Sequence, residues 1–239
     1  MSNIEDQIIL ENEEFIAVNK PSGLLTIPDR EGKDISLKQI LQTKFGPVYT
    51  VHRLDRDTSG VVVFARNEQM HKHLSAQFEK RETSKIYNGL VIGVLSETVG
   101  VINEPIAEHP AKKGVMTVHR KGKESVTEFK VLEAFKLYCW MQFSILTGRT
   151  HQIRVHMKHK GHPIVCDDLY GDGKPVFISQ LKTRYKLSQS QEEERPILNR
   201  LALHAASLSF KGLKNEEFRL EAPLPKDLKA TLNQLRKNQ

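Results

Sequence analysis

The chain has 239 residues, 38% of them hydrophobic and 27% charged, a composition typical of a globular protein with a sizeable core. Lysine and arginine outnumber aspartate and glutamate by 36 to 29, and the net charge of +7 favours a polyanionic partner such as nucleic acid. No window approaches about 18 apolar residues, which excludes a membrane-spanning helix, and the acidic N-terminus does not resemble a signal peptide. Two cysteines, Cys139 and Cys166, form no disulfide framework, so we expect a cytoplasmic protein.

The first third of the chain alternates apolar runs with turn signals and helical periodicity. Ser36 and Asn67 are suitable helix N-caps, and Met70, Leu74 and Phe78 recur every four residues. The predicted elements are, in chain order, a β-hairpin from 8–10 and 15–18, a helix over 36–43, a buried central strand over 61–65 and a helix over 68–81.

The residue patterns in the rest of the chain predict further strands, two helices and one exposed insertion. The strands are expected at 85–95, at 126–135 and 138–147 as a hairpin, and near 200–210 and 216–223; the helices are expected at 148–161 and 225–237. Residues 172–197 are polar and charged, which indicates an exposed insertion. Strands and helices alternate without regular βαβ spacing, so we predict a mixed, largely antiparallel α+β domain.

Residues 51–67, VHRLDRDTSGVVVFARN, place Asp55 between Arg53 and Arg56, directly before the apolar strand. One interpretation is a loop acid in a surface ion pair. The strand, however, puts the segment at the edge of a core, and a nearby arginine keeps a carboxylate ionised, as a nucleophile requires. Aspartic proteases and protein kinases are excluded, because a second D-[ST]-G, a GxGxxG and a DFG motif are all absent.

Four histidines and a cysteine are candidate metal ligands: His151, His156, His159, His162 and Cys166. The HExxH motif is absent, and four arginine or lysine side chains within 148–161 would repel a cation. We therefore expect no metal, and expect this basic segment to meet phosphate groups. The basic segment 109–123 has the same character, with a solvated loop as the other interpretation.

Several motifs occur in the order found in the RluA family of RNA pseudouridine synthases, which most of the chain resembles. They are KPSGLLTIP (20–28), HRLDRDTSG (52–60), KIYNGLVIG (85–93), GRTHQIRVHMKHKGHPIVCDDLYG (148–171) and LALHAASLSF (201–210). The second is similar to the family's long HRLDxxTSG catalytic motif. The resemblance implies the pseudouridine synthase fold, an α+β fold whose mixed, mainly antiparallel central sheet is flanked by helices and loops. Members often carry an N-terminal S4 domain, whereas here we expect a single catalytic domain over 1–239 without one.

The reaction implied by the resemblance is the isomerisation of specific uridines in structured ribosomal or transfer RNA to pseudouridine. It breaks the N1–C1′ bond, rotates the base and rejoins it through C5, after the base has been flipped out of its stack. By the resemblance Asp55 is the catalytic carboxylate. Three routes are open to it: attack on the ribose, attack on the base, or stabilisation of the separated species.

The resemblance also implies roles for residues that are distant in sequence. Arg154 matches the residue that pairs with the catalytic acid, and Tyr87 matches a tyrosine that stacks on the extruded base and takes part in proton transfer at C5. Arg53 is the candidate to fill the space that the flipped base leaves, while Leu203 is either a pocket residue or an ordinary core leucine. The predicted substrate-binding residues are Arg53, His52, Thr58, Arg149, His151 and Leu203, with His52 and Thr58 shaping the loop.

No metal or organic cofactor is expected, because the reaction involves no net redox change or group transfer. The expected partner is a stem-loop of ribosomal or transfer RNA, bound by a monomer that makes no contact with a membrane. The alternative is a non-catalytic RNA-binding protein on the same scaffold. Such a protein has no need of a catalytic acid, so the presence of Asp55, Tyr87 and Arg154 together favours the enzyme.

Overall fold

The computed structural model describes residues 4–29, 32–182 and 193–238. Backbone contacts divide the chain into two compact units. The first unit comprises Met1–Tyr87, Ser144–Thr147 and His204–Pro223, and the second comprises Asn88–Phe143, Gly148–Leu203 and Leu224–Gln239. This division leaves the prediction of a single catalytic domain over 1–239 untested.

Strands outnumber helices in the part of the chain that the structure describes. The strands are β1 (Ile8–Glu11), β2 (Phe15–Lys20), β3 (Tyr49–Thr50), β4 (Ser59–Ala65), β5 (Ser84–Ile92), β6 (Val99–Asn103), β7 (Ile106–Glu108), β8 (Met116–Val118), β9 (Val126–Ala134), β10 (Tyr138–Ile145), β11 (Leu203–Lys211) and β12 (Glu217–Glu221). The helices are α1 (Leu37–Phe45), α2 (Glu68–Glu79), α3 (Gln152–His159), α4 (Ile178–Leu181) and α5 (Lys226–Lys237), preceded by a 3-10 helix at Ile4–Gln7. None of the described helices is long and apolar enough to cross a membrane.

The sheet of the first unit is built around β4. Its strand order is β1-β2-β4-β11, with β12 beside β11 and β3 beside β4. The pairs β1–β2, β2–β4 and β11–β12 are antiparallel, whereas β4 and β11 run parallel. Every residue of β4 is buried, as the continuous apolar run predicted. The predicted N-terminal hairpin is also confirmed.

Alternate residues of β4 enter two different hydrophobic cores. Val61 and Val63 pack with Met70 and Leu74 of α2, whereas Val62 packs with leucines of α1 in the other cluster. Both helices begin where the sequence predicted, because Ser36 forms a capping box with Gln39 and Asn67 accepts the amide of Met70 at 2.8 Å. The helices therefore cover opposite faces of the strand that follows the Asp55 loop.

The predicted β9–β10 hairpin is confirmed; β9 and most of β10 belong to the second unit, and β6 pairs antiparallel with the far edge of β9. The predicted helices at 148–161 and 225–237 are confirmed as α3 and α5, although α3 covers only the middle of its predicted range. A separate antiparallel pair, β7–β8, was not predicted; β8 lies within the basic segment 109–123, for which a solvated loop was one of the two interpretations. These two strands have three residues each, too few to give a periodic pattern.

The predicted insertion 172–197 lies partly outside the described residues, because 183–192 are not among them. Within its described flanks Val176 is buried and forms a backbone bridge to Leu198. The N-terminal flank is therefore anchored, and exposure of the whole segment stays a prediction.

Candidate functional site

Asp55 lies in the loop between β3 and β4, on a backbone that is tightly hydrogen-bonded. The Asp55 carbonyl accepts the amide of Thr58 at 3.2 Å, which closes a turn. The hydroxyl of Thr26 donates to the Leu54 carbonyl at 2.8 Å and accepts the Leu54 amide at 3.1 Å. Thr26, Leu54 and Thr58 are all buried. The partly buried carboxylate of Asp55 is therefore carried by a fixed turn.

Hydrogen bonds from Lys20 connect the KPSGLLTIP segment to the Asp55 loop. Its side chain is 0% exposed, and the Nζ atom donates to the carbonyl oxygens of Pro21, Leu24 and Arg56 at 3.0, 2.7 and 2.8 Å. The Gly23 amide donates to the same Arg56 carbonyl at 2.9 Å. Sequence reasoning missed this residue, because nothing local signals that a lysine at the end of a strand is buried.

The two arginines that flank Asp55 have different surroundings. The guanidinium of Arg56 forms an ion pair with Asp34 at 2.9 Å and donates to the Gly23 carbonyl at 3.1 Å. Arg53 is exposed, and within the described ranges its side chain forms no hydrogen bond or ion pair. Arg56 is thus part of the loop's support, whereas the guanidinium of Arg53 is available to a ligand. Its insertion into the RNA stays a prediction.

His52 is a neutral support of the same loop. Its Nε2 atom accepts the amide of Val63 at 3.0 Å, so the ring proton is on Nδ1, and the ring stacks on Phe78 with centroids 4.7 Å apart. Burial, together with the positive charge of Lys85, lowers the pKa of His52 to about 3. The ring therefore stays uncharged at neutral pH and holds the start of the loop against β4.

Gly60 allows the close parallel contact between β4 and β11. Its φ angle is +116°, and a Cβ atom there would lie 2.1 Å from the carbonyl oxygen of Ala205. Beside it, the hydroxyl of Ser59 and the Nδ1 atom of His204 are 2.9 Å apart, and His204 Nε2 is 3.3 Å from the Ala222 carbonyl. Sequence reasoning did not assign His204, whose partner is 145 positions away.

Tyr87 is the last residue of Met1–Tyr87, the first segment of the first unit. Its side chain packs against the hydrophobic cluster that contains Leu54, Val62 and Ala205. Burial, and in second place the negative charge of Asp55, raises the pKa of the Tyr87 phenol well above its ordinary value. The phenol is therefore protonated at neutral pH and lies within electrostatic reach of the Asp55 carboxylate. Two of the three predicted catalytic residues are brought together here.

Arg154, in the second unit, is paired with Asp167. The two side chains are 5% and 0% exposed, and the guanidinium Nε and Nη2 atoms donate to the two carboxylate oxygens at 2.7 Å each. The guanidinium also lies over the ring of Tyr170, 5.0 Å from its centroid. Sequence reasoning missed Asp167, although it lies in a motif of the resemblance. The predicted pairing of Arg154 with Asp55 joins residues of different units and stays a prediction.

The predicted binding residues Arg149 and His151 are held in the turn that precedes α3. The Nε atom of Arg149 donates to the Glu124 carbonyl at 3.0 Å. His151 has a left-handed φ of 55°, and its Nδ1 atom is 2.8 Å from the Tyr170 hydroxyl. Leu203 is 3% exposed, which agrees with both a pocket and a core interpretation. Contact of these residues with RNA is untested.

His156, on the buried face of α3, has protein partners. The Nδ1 atom of His156 lies 2.9 Å from the Thr127 hydroxyl, and its Nε2 atom lies 3.0 Å from the Glu104 carbonyl. Both ring nitrogens are therefore engaged in the fold. Among residues 4–29, 32–182 and 193–238 no three histidine, cysteine or acidic side chains are grouped as a metal site.

Comparison with known proteins adds a consistent set of relatives. The profile of a family described as RNA pseudouridylate synthase matches residues 14–159. Ribosomal large subunit pseudouridine synthase C of Vibrio parahaemolyticus is 35% identical over 99% of this chain and 71% of its own length. Ribosomal large subunit pseudouridine synthase D of Haemophilus ducreyi is 33% identical over 94% of this chain and 69% of its own.

Two solved human structures have the same fold. Human RNA pseudouridylate synthase domain containing 4 superposes with a TM-score of 0.76 at 26% identity, covering 98% of this chain and 94% of the human one. Human RNA pseudouridylate synthase domain containing 1 gives a TM-score of 0.72 at 25% identity, covering 99% and 97% of the two chains. The predicted α+β fold class is confirmed.

Proposed function

The chain belongs to the RNA pseudouridylate synthase family, and from this premise we propose that Asp55 is the carboxylate with which it isomerises uridine in RNA to pseudouridine. The observation that supports this role is the loop itself. Four separate side-chain anchors, from Lys20, Ser22, Thr26 and His52, fix the backbone on either side of Asp55. Fixing a reacting group in advance removes the entropic cost of orienting it during the reaction.

Tyr87 supplies the second group of the proposed site. Its raised pKa makes the phenolate scarce at neutral pH, so the residue serves as a stacking surface and as a hydroxyl that passes on a proton. In the reaction the N1–C1′ bond breaks and a C5–C1′ bond forms, while C5 loses its proton and N1 gains one. We assign to Tyr87 the passage of the C5 proton, and to Asp55 the stabilisation or capture of the separated fragment.

We infer that the substrate is ribosomal RNA of the large subunit. Two relatives that align with more than nine tenths of this chain are named for that substrate. The net charge of +7 supports binding to a polyanion. We also infer that the enzyme works as a monomer in the cytoplasm, where ribosomal RNA is available to it, and that Arg53 occupies the space left by the flipped uridine.

The proposal is tested by mapping pseudouridine across the RNA of cells that lack the gene and are complemented with variants. We expect the wild-type gene to restore one or a few sites in large-subunit RNA. Asp55→Ala should restore none while binding RNA as the wild type does, because a single partly buried carboxylate contributes little to affinity. Asp57→Asn, which removes an exposed charge two positions away, is the matched control and should restore the sites.

Pseudouridine formed by Asp55→Ala would contradict the assignment of the catalytic carboxylate. Restored sites confined to transfer RNA would contradict the substrate. If the wild-type protein binds RNA but restores no site, the alternative of an RNA-binding protein without catalytic activity is favoured.

A further inference from the structure

The second unit contains a cavity of about 440 Å³ between the β7–β8 hairpin and α3. Sites for small ligands usually have volumes of about 300–1,000 Å³, so this one has room for a single nucleotide but not for a duplex. The lining residues that carry the argument are Lys112, Met116, Val155, Lys158, Asp168 and Leu169.

The floor of the cavity is apolar and rigid. Val155 and Tyr170 form a buried cluster with Ile106, against which Met116 packs. The amide of Met116 donates to the Tyr170 hydroxyl at 2.8 Å, so the β8 strand is attached to the motif that follows α3. At the edge of the cavity, Leu169 has 46% of its surface exposed, so its side chain is accessible to a ligand. An unstacked base can rest on such a floor.

The rim of the cavity is positively charged. Lys112 and Lys158 are both exposed, and neither forms an ion pair within residues 4–29, 32–182 and 193–238. The Nζ atom of Lys158 lies 5.8 Å from the centroid of the Tyr170 ring, which keeps this ammonium group at the cavity. His109 and His159 add two imidazoles, against the single carboxylate of Asp168. The apolar floor suits the base of a nucleotide, and the two lysines without counter-ions suit its phosphate groups.

We propose that this cavity binds one single-stranded nucleotide of the substrate RNA, distinct from the uridine that is isomerised. Its base rests on Met116 and Leu169, and its 5′ and 3′ phosphates meet Lys112 and Lys158. The proposal rests on the proposed function, because it takes RNA as the substrate. It gives the basic segment 109–123, which sequence reasoning left between a phosphate site and a solvated loop, a defined role in recognition.

The test uses the full chain carrying Asp55→Asn, so that binding is measured without turnover, and a fluorescein-labelled uridine decamer as the probe. In this background Lys112→Ala/Lys158→Ala should weaken binding about tenfold at moderate salt. The slope of log affinity against log salt should fall by about 1.4, since each phosphate contact on a single strand contributes about 0.7. The double variant Lys226→Ala/Lys229→Ala removes the same charge from the exposed side of α5 and is the matched control.

A second variant separates contacts to the base from contacts to phosphate. Leu169→Ser should weaken decamer binding several-fold with no change in the salt slope, because it removes apolar contact and no charge. Photocrosslinking with 4-thiouridine in the decamer should modify residues within 109–118 or 155–169, as mapped by mass spectrometry.

Several results would overturn the proposal. They are a decamer that does not bind, a slope in the lysine variant equal to that of its control, or crosslinks confined to other segments. Displacement of the decamer by free UMP at micromolar concentration would instead make the cavity a site for free nucleotides. Each of these leaves the role of Asp55 intact, since that role is decided by pseudouridine formation and not by binding.

Discussion

The ammonium group of Lys20 is buried, and it donates hydrogen bonds to three backbone carbonyl oxygens instead of to water. A buried ammonium group is tolerated only when its hydrogen bonds are satisfied. The same three contacts hold together two segments that are 36 positions apart. The residue thus acts on Asp55 through the backbone, as a positioning residue.

We expect Lys20→Met to lower the free energy of unfolding by roughly 2–4 kcal/mol, because three carbonyl groups lose their donor in a buried site. Urea denaturation followed by circular dichroism measures this change. Lys72→Met, on the exposed face of α2, is the matched control and should change stability by less than about 0.5 kcal/mol. Equal stabilities for the two variants would contradict the structural role of Lys20.

Substitutions in the Arg154–Asp167 ion pair can distinguish a structural role of Arg154 from a catalytic one. Arg154→Met should destabilise the fold by about 3–5 kcal/mol, since it leaves the Asp167 carboxylate buried without its partner. Adding Asp167→Asn should recover at least half of this loss, because the neutral amide still accepts the Leu169 and Tyr170 amides. Denaturation and pseudouridine assays are run on both variants.

Under our proposal the double variant is stable but inactive, because Arg154 is also the proposed partner of Asp55. A double variant that regains both stability and pseudouridine formation would show that Arg154 serves the fold alone.

At the scale of the element, β4 illustrates how a strand can carry a catalytic loop. It is covered by a helix on each face and paired on both edges, so the loop before it starts from an immobile base. The pairing with β11 depends on Gly60, where both the positive φ and the short distance to Ala205 exclude a side chain.

We expect Gly60→Ala to destabilise the first unit by roughly 3 kcal/mol or more, because backbone strain and a clash with a backbone atom add together. Gly161→Ala is the control, since Gly161 also has a positive φ of 83° but its Cβ would meet no atom within 4 Å. That variant should cost only about 1 kcal/mol of strain. Similar losses in thermal denaturation of the two variants would mean that the β4–β11 contact is not as close as the structure has it.

Elements with a local signal were predictable, and contacts between distant segments were not. The spacing of Met70 and Leu74 and the caps Ser36 and Asn67 act within one or two helical turns, so one sequence reveals them. The burial of Lys20 depends on carbonyl groups of two loops, and the partner of Arg154 is fixed only by the fold. The roles of Asp55 and Tyr87 were predicted from a family resemblance and not from any periodicity, and they stay predictions.

At the scale of the whole molecule, the net charge of +7 predicts that RNA is attracted through its phosphates. We expect the affinity of the wild-type protein for RNA to fall tenfold or more between about 50 and 200 mM salt, because bound counterions are released when lysine and arginine meet phosphates. Fluorescence anisotropy with a labelled RNA stem-loop measures this dependence. An affinity that is insensitive to salt would contradict binding through phosphate contacts.

The hydrogen bond between Ser59 and His204 joins positions 145 residues apart, and this distance has a consequence during protein synthesis. A ribosome adds about 5–20 residues per second, so β4 waits on the order of ten seconds for its parallel partner β11 to be made. For that time the start of β4, at Ser59 and Gly60, lacks the strand with which it pairs in the folded protein, and unpaired strand edges are where chains pair wrongly with one another. The first unit therefore stays incomplete until β11 has been made, and we expect a chaperone that binds nascent chains to be found on this unit until then.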